Sequence, residues 1–318
     1  MSNSGQEADV AQRVSVEVQG RRFALSNLDK VLYPDVGFTK AQVIDYYQRV
    51  APTLLPHLAG RPATRKRYPN GVEAASFFEK NAPKHTPDWV RTVNLPTPGS
   101  TRDRETIDYI VVQDLPTLVW LANLAALELH VPQWTVGARG AVRDADLLVL
   151  DLDPGPPATA VECARVALLL EEQLTADGLE PVVKTSGSKG LQLYAPIRPT
   201  PSERVADYAK KLAQRLENDH PDLIVHRMTK TLRPGKVLID WSQNNAAKTT
   251  VAPYSLRARP EPTVSTPVSW TEIEDATNPR DLVFHSDEVL DRIAAEGDLF
   301  ASLVGGDSVD LRARPRLP

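Results

Sequence analysis

The sequence contains a single cysteine, Cys163, among 318 residues. One thiol cannot form an intrachain disulfide, and it cannot supply a metal site built from several thiolates. Scarce cysteine is typical of proteins that work in a reducing compartment. Because Cys163 lies in the apolar segment AVECARVALLL, we interpret it as a packed thiol and not as a nucleophile.

Long apolar runs and a surplus of positive charge are also missing. No stretch approaches the roughly 18 uninterrupted apolar residues of a membrane-spanning helix, and the polar N-terminal segment lacks the apolar core of a signal peptide. We therefore expect a cytoplasmic protein with no membrane association. The formal net charge is −4, so nucleic-acid binding would require local basic patches.

Predicted strands and helices alternate along the chain, which indicates an α/β fold. The alternating segment VSVEVQGRRFALS predicts a hairpin around Gly20. Thr39 and Gln42 have the spacing of a capping box at the start of a helix. The apolar segment TLVWLANLAALELHV, residues 117–131, predicts a second helix.

From about residue 142 the segments DLLVLDLD and GKVLIDW predict buried strands, EPVVKTSGSKGLQLYAPI predicts two strands joined by a turn, and SERVADYAKKLAQRLENDHP predicts a helix. Thr159 and Glu162 again have capping-box spacing, and Gly178 is placed to end that helix. We predict a flexible tail (residues 1–20), an N-terminal α/β lobe (21–135), a sheet-based catalytic lobe (136–300) and a second tail (301–318).

Two aspartates end the apolar segment LLVLDLDPGPP, residues 147–157. Residues i and i+2 of a strand share a face, so Asp151 and Asp153 should direct both carboxylates toward one pocket. Such close carboxylates raise each other's pKa, and a divalent cation such as Mg²⁺ or Mn²⁺ relieves the repulsion. The alternative is an ordinary Asp-Pro-Gly turn in which one aspartate caps the next helix, although Thr159 already serves that helix.

Asp240 ends the apolar strand KVLIDW in the same manner. Taken alone, it could be an ordinary polar residue at a strand end. Three carboxylates are a common protein contribution to a site that transfers phosphoryl groups with two metal ions.

The segment KTSGSKGLQLY contains a Gly/Ser turn. Gly187 and Gly190 would allow backbone N–H groups to surround an anion, and the side chains of Ser186, Ser188 and Lys189 would add donors. The spacing differs from that of a P-loop, and a strand follows instead of a helix. A plain hairpin turn is the alternative.

Positive charge is concentrated in two segments. Between residues 226 and 259 one aspartate accompanies seven basic residues, which are Arg227, Lys230, Arg233, Lys236, Lys248, Arg257 and Arg259. The segment RPATRKR adds Arg61, Arg65, Lys66 and Arg67. Both segments could neutralise triphosphates and strand phosphates, whereas a solvated surface is the alternative.

Two further features suit nucleic acid. Phe77 and Phe78 are adjacent, so on a strand only one should face the core and the other could stack on a base. Lys40 lies in the first turn of its predicted helix, where the dipole favours an anion. A half-buried ring and a solvated lysine are the alternatives, and His130 could equally be a structural histidine.

Together, the motifs DLDPG, TSGSKGLQLY, TKTLRPGKVLIDWSQN and KTTVAPYSLR resemble the polymerase domain of bacterial ligase D, a branch of the archaeo-eukaryotic primase superfamily. DKVLYP, GRPATRKRYPNG, FFEK and ELHVPQW extend the resemblance over about residues 22–300. It implies a two-lobed primase-like α/β catalytic core with mixed β-sheets flanked by helices. It also implies template-directed nucleotide addition, with two Mn²⁺ (or Mg²⁺) ions and a preference for ribonucleotides.

The resemblance assigns roles to individual residues. Catalysis and metal binding fall to Asp151, Asp153 and Asp240. The triphosphate-holding turn corresponds to Ser186 and Lys189, and the remaining nucleotide contacts to Lys66, His130, Arg233, Gln243 and Arg257. Lys30 and Lys40 correspond to residues that bind the 5′-phosphate of a downstream DNA strand. Phe77 and Phe78 correspond to a pair that packs against template bases.

The resemblance further implies DNA with gaps, breaks or overhangs, NTPs or dNTPs, Ku and a DNA ligase as partners, in non-homologous end joining. We expect a monomer that acts at the nucleoid in the bacterial cytoplasm. Rival functions are a metal-dependent phosphodiesterase and a non-catalytic DNA-end-binding module. A retaining glycosidase also uses two carboxylates, but no other feature suggests a sugar site.

One position departs from the family pattern. After SGSKGL the family usually has histidine, and this chain has Gln192. Glutamine can donate a hydrogen bond but cannot become cationic. We therefore expect either a weaker phosphate contact here or a contact supplied by another residue, and a stand-alone paralogue of the ligase-fused enzyme is one explanation of the change.

Overall fold

The computed structural model of the chain describes residues 13–96, 105–304 and 314–318. Residues 1–12 of the predicted first tail and residues 305–313 of the predicted second tail lie outside this part. No helix within the described ranges is long and apolar enough to cross a membrane. The α-helices are α1 (Lys40–Leu58), α2 (Leu115–Asn123), α3 (Ala160–Ala176), α4 (Ser202–Asp219), α5 (Trp270–Asp275) and α6 (Ser286–Glu296).

The strands form two large sheets and two small ones. They are β1 (Arg13–Val18), β2 (Arg21–Ser26), β3 (Val31–Tyr33), β4 (Phe38–Thr39), β5 (Pro62–Arg67), β6 (Phe77–Glu79), β7 (Thr92–Pro96), β8 (Thr106–Val111), β9 (Ala126–Val131), β10 (Trp134–Val136), β11 (Val142–Pro154), β12 (Val182–Thr185), β13 (Leu191–Thr200), β14 (Ile224–Val225), β15 (Val237–Asp240), β16 (Thr250–Val251) and β17 (Pro267–Val268).

The predicted hairpin around Gly20 is confirmed. β1 and β2 pair antiparallel, and Gly20 takes the left-handed conformation with φ +77°, which glycine adopts at no steric cost. Since β1 begins at Arg13, regular structure starts before residue 21, where we placed the beginning of the N-terminal lobe.

The first large sheet is antiparallel, with the order β16–β9–β5–β8–β7 and with β6 beside β5. α1 lies against its core, and its predicted capping box is present because Gln42 N donates to Thr39 Oγ1 and Thr39 N donates to the Gln42 side chain. The single helix predicted for residues 117–131 is wrong. α2 stops at Asn123 and β9 follows, because Ala125 takes a positive φ of +54° and the next residues hydrogen-bond between β5 and β16.

The second large sheet has the order β14–β15–β11–β13–β12–β17, with β10 beside β11. Only β14 and β15 pair in parallel among its described strands. The strands and helices predicted for this region are confirmed, including the capping box of Thr159 and Glu162 and a left-handed Gly178 after α3. Cys163 is fully buried in the core between α3 and the sheet, as expected for a packed thiol.

Alternation along β11 divides the second sheet into two faces. Leu148, Leu150 and Leu152 join the helix-covered core, so the residues between them point to the opposite face. That opposite face carries Asp151 and lies toward the first sheet. The predicted two-lobed α/β architecture with helices on its sheets is therefore confirmed.

The chain crosses between the two sheets more than once. β16 follows β15 in sequence but pairs with β9 of the first sheet. Further along the chain the first core includes Ala252, Tyr254, Leu256, Val264 and Val289, whereas β17 returns to the second sheet. The boundary that we placed at residue 135 therefore separates the sheets only along the first part of the chain. Thr250 links the two sheets, because its Oγ1 accepts hydrogen bonds from Gln133 Nε2 (3.0 Å) and from Tyr194 OH on β13 (2.7 Å).

The described part of the predicted C-terminal tail packs against the protein. Residues 301–303 form a short 3₁₀ turn with Leu303 buried. The buried Arg314 donates from Nη1 to Asp146 O (3.0 Å) and from Nη2 to Leu303 O (2.9 Å). The physical reason is that these two carbonyl groups need donors when they are buried, so these positions are not a free tail.

Candidate metal and nucleotide site

The three predicted aspartates converge on the face of the second sheet that lies toward the first sheet. Asp151 on β11 and Asp240 on β15 are direct antiparallel partners, so their side chains share a face. Asp153 lies two residues beyond Asp151 on the same face. Each residue offers a carboxylate oxygen, and these oxygens lie within 4.8 Å of one another.

The cluster is electrostatically unfavourable in isolation. Burial, followed by the charges of Asp153 and Asp240, raises the pKa of Asp151 to about 7. Burial and the Asp240 charge also raise the pKa of Asp153, and the Arg233 charge opposes that shift. Asp151 and Asp153 therefore resist ionisation beside Asp240. A divalent cation would stabilise the ionised form of these carboxylates.

Asp240 is held by residues of the short 3₁₀ turn that follows β15. Its Oδ1 accepts a hydrogen bond from Ser242 N (3.0 Å), and its Oδ2 accepts one from Gln243 Nε2 (2.7 Å). Lys248 Nζ lies 3.9 Å from Oδ2. Gln243, which we predicted as a nucleotide contact, therefore also fixes a metal-ligand candidate.

The donor set fits a divalent cation that prefers hard oxygen ligands, such as Mg²⁺ or Mn²⁺. Three carboxylates close enough to share ions supply the charge, and no sulfur or imidazole ligand belongs to the group found in the described residues. The residues that would hold the metal are Asp151, Asp153 and Asp240.

A pocket of about 280 Å³ adjoins the aspartates. Most of the predicted nucleotide contacts line it, and these are His130, Ser186, Lys189, Gln243 and Arg257. Arg233 does not line it but acts on Asp153 through its charge, and its Nη2 donates to Met228 O (2.7 Å). Lys66 lies to one side, with Nζ 5.4 Å from the centre of the Phe78 ring.

The Gly/Ser turn is arranged differently from our prediction. Ser186 Oγ accepts hydrogen bonds from Ser188 N and Gly190 N, both at 3.2 Å, so these two backbone donors are occupied by the protein. Gly190 is required by packing, because a Cβ atom there would lie 1.9 Å from Leu152 O. Gly187 is required by its φ of +64°. The turn thus presents the Lys189 side chain to the pocket.

Glu128, which the sequence analysis did not single out, organises two of the predicted contacts. Its Oε2 is 2.9 Å from His130 Nε2, and its Oε1 is 3.4 Å from Arg257 Nε. Burial opposes ionisation, but the hydrogen bond with His130 and the Arg257 charge bring the pKa of Glu128 to about 2. Glu128 and His130 lie on the same face of β9. We did not predict this, because we interpreted residues 117–131 as a helix.

Gln192 and Lys184 continue the row of polar residues. Gln192 Nε2 donates to Asp151 Oδ1 (3.0 Å), and its Oε1 accepts from Lys184 Nζ (2.6 Å). Both ends of the amide are therefore hydrogen-bonded within the protein, which favours the second of our two expectations, that a phosphate contact is supplied by another residue. Burial and the Arg257 charge lower the pKa of Lys184, and the Asp151 charge opposes that shift.

Lys30 and Lys40, which we predicted to bind a 5′-phosphate, lie together at the start of α1, where Lys40 N donates to Lys30 O (2.8 Å). Burial, followed by the charges of Lys30 and Arg67, lowers the pKa of Lys40 to about 8. Lys40 Nζ donates to Ser26 O at 2.5 Å, and Lys30 Nζ donates to Asn70 Oδ1 at 2.8 Å. The charges of Lys30 and Arg67 disfavour protonation of Lys40, and an anion bound beside these three side chains would relieve that repulsion.

Phe77 and Phe78 lie on β6 between the lysine pair and the pocket. Our expectation that one ring faces the core is wrong, because their exposed fractions are 43% and 56%; β6 is a short strand at the side of β5, and neither of its faces is covered. The Phe77 ring lies 5.3 Å from the Arg67 guanidinium, and the Phe78 ring lies 5.6 Å from the His130 ring.

Residues 39–300 match the family model described as LigD, primase-polymerase domain. The chain is 47% identical over 283 residues to the multifunctional non-homologous end joining protein LigD of Mycolicibacterium smegmatis, which covers 89% of this chain and 36% of that protein. It is 34% identical over 278 residues to the bifunctional non-homologous end joining protein LigD of Bacillus subtilis, covering 87% of this chain and 43% of that one.

The solved structure of the polymerase domain from Mycobacterium tuberculosis ligase D in complex with DNA is also similar. It superimposes with a TM-score of 0.84 at 43% identity, covering 92% of this chain and 99% of that one. The chain thus spans about a third of the length of the M. smegmatis relative and nearly the whole of the solved polymerase domain.

Proposed function

We propose that this chain, which belongs to the family of LigD primase-polymerase domains, adds nucleotides to the 3′ end of a DNA primer under the direction of a template. The observation that carries the proposal is the convergence of Asp151, Asp153 and Asp240 beside a pocket lined by Lys189 and Arg257. Carboxylates that gather cations and cationic side chains that gather phosphates together suit a nucleoside triphosphate.

The proposed reaction is in-line attack of a primer 3′-hydroxyl on the α-phosphate of the incoming nucleotide. Divalent ions at the three aspartates would lower the pKa of that hydroxyl and neutralise charge on the departing pyrophosphate. Lys189 and Arg257 would hold the triphosphate from the side of the pocket opposite the primer. Glu128 keeps His130 and Arg257 in place for this contact.

We propose gapped or broken DNA as the other substrate. Lys30 and Lys40 would bind the 5′-phosphate of the downstream strand, and Phe77 and Phe78 would stack on template bases between that phosphate and the pocket. The order of these residues along β5 and β6 supports this path, because Lys66 pairs with Phe78 and Arg67 pairs with Phe77.

The names of the relatives place them in non-homologous end joining, and we propose the same process here. Mn²⁺ is the proposed metal, ribonucleotides are the proposed preferred substrates, and Ku and a DNA ligase are the proposed partners. We further propose that the chain acts as a monomer at the bacterial nucleoid.

A gap-filling assay tests the proposal. A short 5′-phosphorylated gap is incubated with NTPs or dNTPs, with Mg²⁺ and Mn²⁺ supplied separately, and primer extension is followed on a gel. Asp240→Ala should abolish extension, while binding to DNA ends persists. Asp144→Ala is the matched control, because Asp144 is an exposed residue of β11 and should retain full extension.

The same assay separates the rival functions. A phosphodiesterase would shorten the primer without added nucleotide, and a DNA-end-binding module would show no dependence on metal or nucleotide. Full primer extension by Asp240→Ala would contradict the proposed metal site.

A further inference from the structure

Two polar residues extend the row of aspartates across the second sheet. Gln192 on β13 is the cross-strand partner of Asp151, and Lys184 on β12 is the cross-strand partner of Gln192. With Asp240 on β15, the row therefore runs over four adjacent strands. Directly opposite residues place their side chains on the same face, so the four side chains meet in sequence.

The hydrogen bonds along this row have a fixed polarity. A lysine amine donates, and an ionised carboxylate only accepts. Gln192 offers one acceptor and one donor, and it is held between them by bonds of 2.6 Å to Lys184 and 3.0 Å to Asp151. The contact with Lys184 thus determines which end of the amide faces Asp151.

Lys184 is positioned rigidly for this contact. Its exposed fraction is 0%, and its amine also donates to Ser265 Oγ, which in turn donates to Thr185 O (2.9 Å). Burying an amine whose hydrogen-bond partners are an amide and a hydroxyl group is costly. Such a cost at the edge of a candidate metal site points to a role beyond packing.

We propose that Lys184 is a positioning residue that acts through Gln192 to fix the Asp151 carboxylate as a metal ligand. Gln192 donates a hydrogen bond to Asp151 Oδ1, and this bond opposes rotation of the Asp151 side chain away from Asp153 and Asp240. The inference rests on the proposed metal site. Hydrogen-bonded partners of metal ligands have this effect in general, and their loss typically weakens metal binding by about 10–100-fold.

The direction of the change in cation affinity distinguishes a positioning role of Lys184 from a purely electrostatic one. Removing a positive charge near a cation site would tighten cation binding if charge alone mattered. If Asp151 lost its orientation, cation binding would weaken. Lys184→Met keeps an unbranched chain of similar length in the buried space and removes the donor, so it distinguishes the two effects.

The experiment measures Mn²⁺ affinity of the full chain by electron paramagnetic resonance of free Mn²⁺, with thermal unfolding recorded in parallel. Lys184→Met and Gln192→Leu should each weaken Mn²⁺ binding by about 10–100-fold. The double variant should bind no more weakly than Gln192→Leu, because Lys184 acts through Gln192. Lys211→Met, an exposed lysine on α4, is the matched control and should bind like the wild type.

Each outcome bears on one claim. Wild-type protein that binds no Mn²⁺ would overturn the proposed metal site itself. Wild-type binding with equal or tighter binding by Lys184→Met, or additive losses in the double variant, would overturn the role of Lys184 alone. If Lys184→Met does not fold, Gln192→Leu decides: wild-type Mn²⁺ affinity in that variant excludes the relay, and a loss that Gln192→His restores supports it.

Discussion

Asp151 and Asp240 lie directly opposite each other on β11 and β15, although three strands and two helices separate them along the chain. The pair is therefore created by strand register. A shift of one residue in this pairing would turn Asp240 toward the helix-covered core. The apolar residues next to them, Leu152 and Ile239, are buried in that core and hold the register in place.

Removing the repulsion among the aspartates should stabilise the metal-free protein. Burial and the Asp240 charge raise the pKa of Asp153, so its ionised form disfavours the folded state. An acid with a raised folded-state pKa contributes stability at low pH that is lost as the pH rises. We expect Asp153→Asn to raise the melting temperature in EDTA by roughly 2–4 °C at pH 8, with a smaller gain at pH 5.

Differential scanning calorimetry measures this change, and Asp144→Asn on the same strand is its control. Saturating Mn²⁺ should reverse the order of the two melting temperatures, because only the wild-type site keeps all three carboxylates. An equal melting temperature for Asp153→Asn and wild type in EDTA at pH 8 would contradict the predicted repulsion.

Recognition of a 5′-phosphate should weaken as the pH rises from about 7 to 9. The pKa of Lys40 is lowered to about 8, so its amine loses its positive charge over this range, whereas a terminal phosphate with a second pKa near 6 stays dianionic. A hydrogen bond to a charged group contributes about 1.5–3 kcal/mol, so the ratio of Kd values for unphosphorylated and phosphorylated gaps should fall by about tenfold or more.

Fluorescence anisotropy with the two gapped DNAs gives this ratio. Lys40→Arg should keep the preference at pH 9, because a guanidinium group remains charged. A preference that does not change with pH in the wild type would argue against Lys40 as the phosphate contact.

Phe78→Ala should weaken binding to gapped DNA without destabilising the protein. Stacking of a base on an aromatic ring contributes about 1–3 kcal/mol, which corresponds to roughly a 5- to 100-fold increase in Kd. Because the ring is 56% exposed, the melting temperature should hardly change. Val142→Ala, another exposed apolar position, should leave the Kd unchanged; a similar loss in both variants would indicate that stacking is not responsible.

Glu128→Gln should raise the KM for the nucleotide about tenfold, with a smaller effect on kcat. Glu128 is ionised at neutral pH because its pKa is about 2, and its charge holds both His130 and Arg257. A neutral amide would release part of that interaction, worth about 1.4 kcal/mol for a tenfold change. Steady-state kinetics under single-nucleotide gap filling measures both constants, and an unchanged KM would show that the two contacts are held without Glu128.

Short-range patterns in the sequence predicted much of the candidate site. The i, i+2 spacing of Asp151 and Asp153 predicted a shared face, and the spacing of Thr159 and Glu162 predicted the helix that follows. Both depend on neighbouring residues of one element, where the period of the backbone determines direction. The position of Asp240 at a strand end was predicted in the same way, and its pairing with Asp151 required the folded sheet.

The residues that were missed depend on contacts between distant segments. Glu128 lies in a segment whose apolar residues suited a helix, and the pairing of β9 with β5 and β16 overrode that propensity. Lys184 is a lysine in the short apolar strand VVKT, and its buried amine is explained by hydrogen bonds to Gln192 and Ser265, which lie on other segments of the chain. The packing requirement at Gly190 likewise comes from Leu152 on a different strand.

The hydroxyl group of Thr250 has a consequence for how substrates are selected. It accepts hydrogen bonds from both sides of the seam between the two sheets, so a jaw-like closure of the lobes around a nucleotide would break bonds that are already formed. These two bonds favour a cleft that keeps its shape, and selection between ribose and deoxyribose by the proposed polymerase would then depend on the side chains that line the pocket.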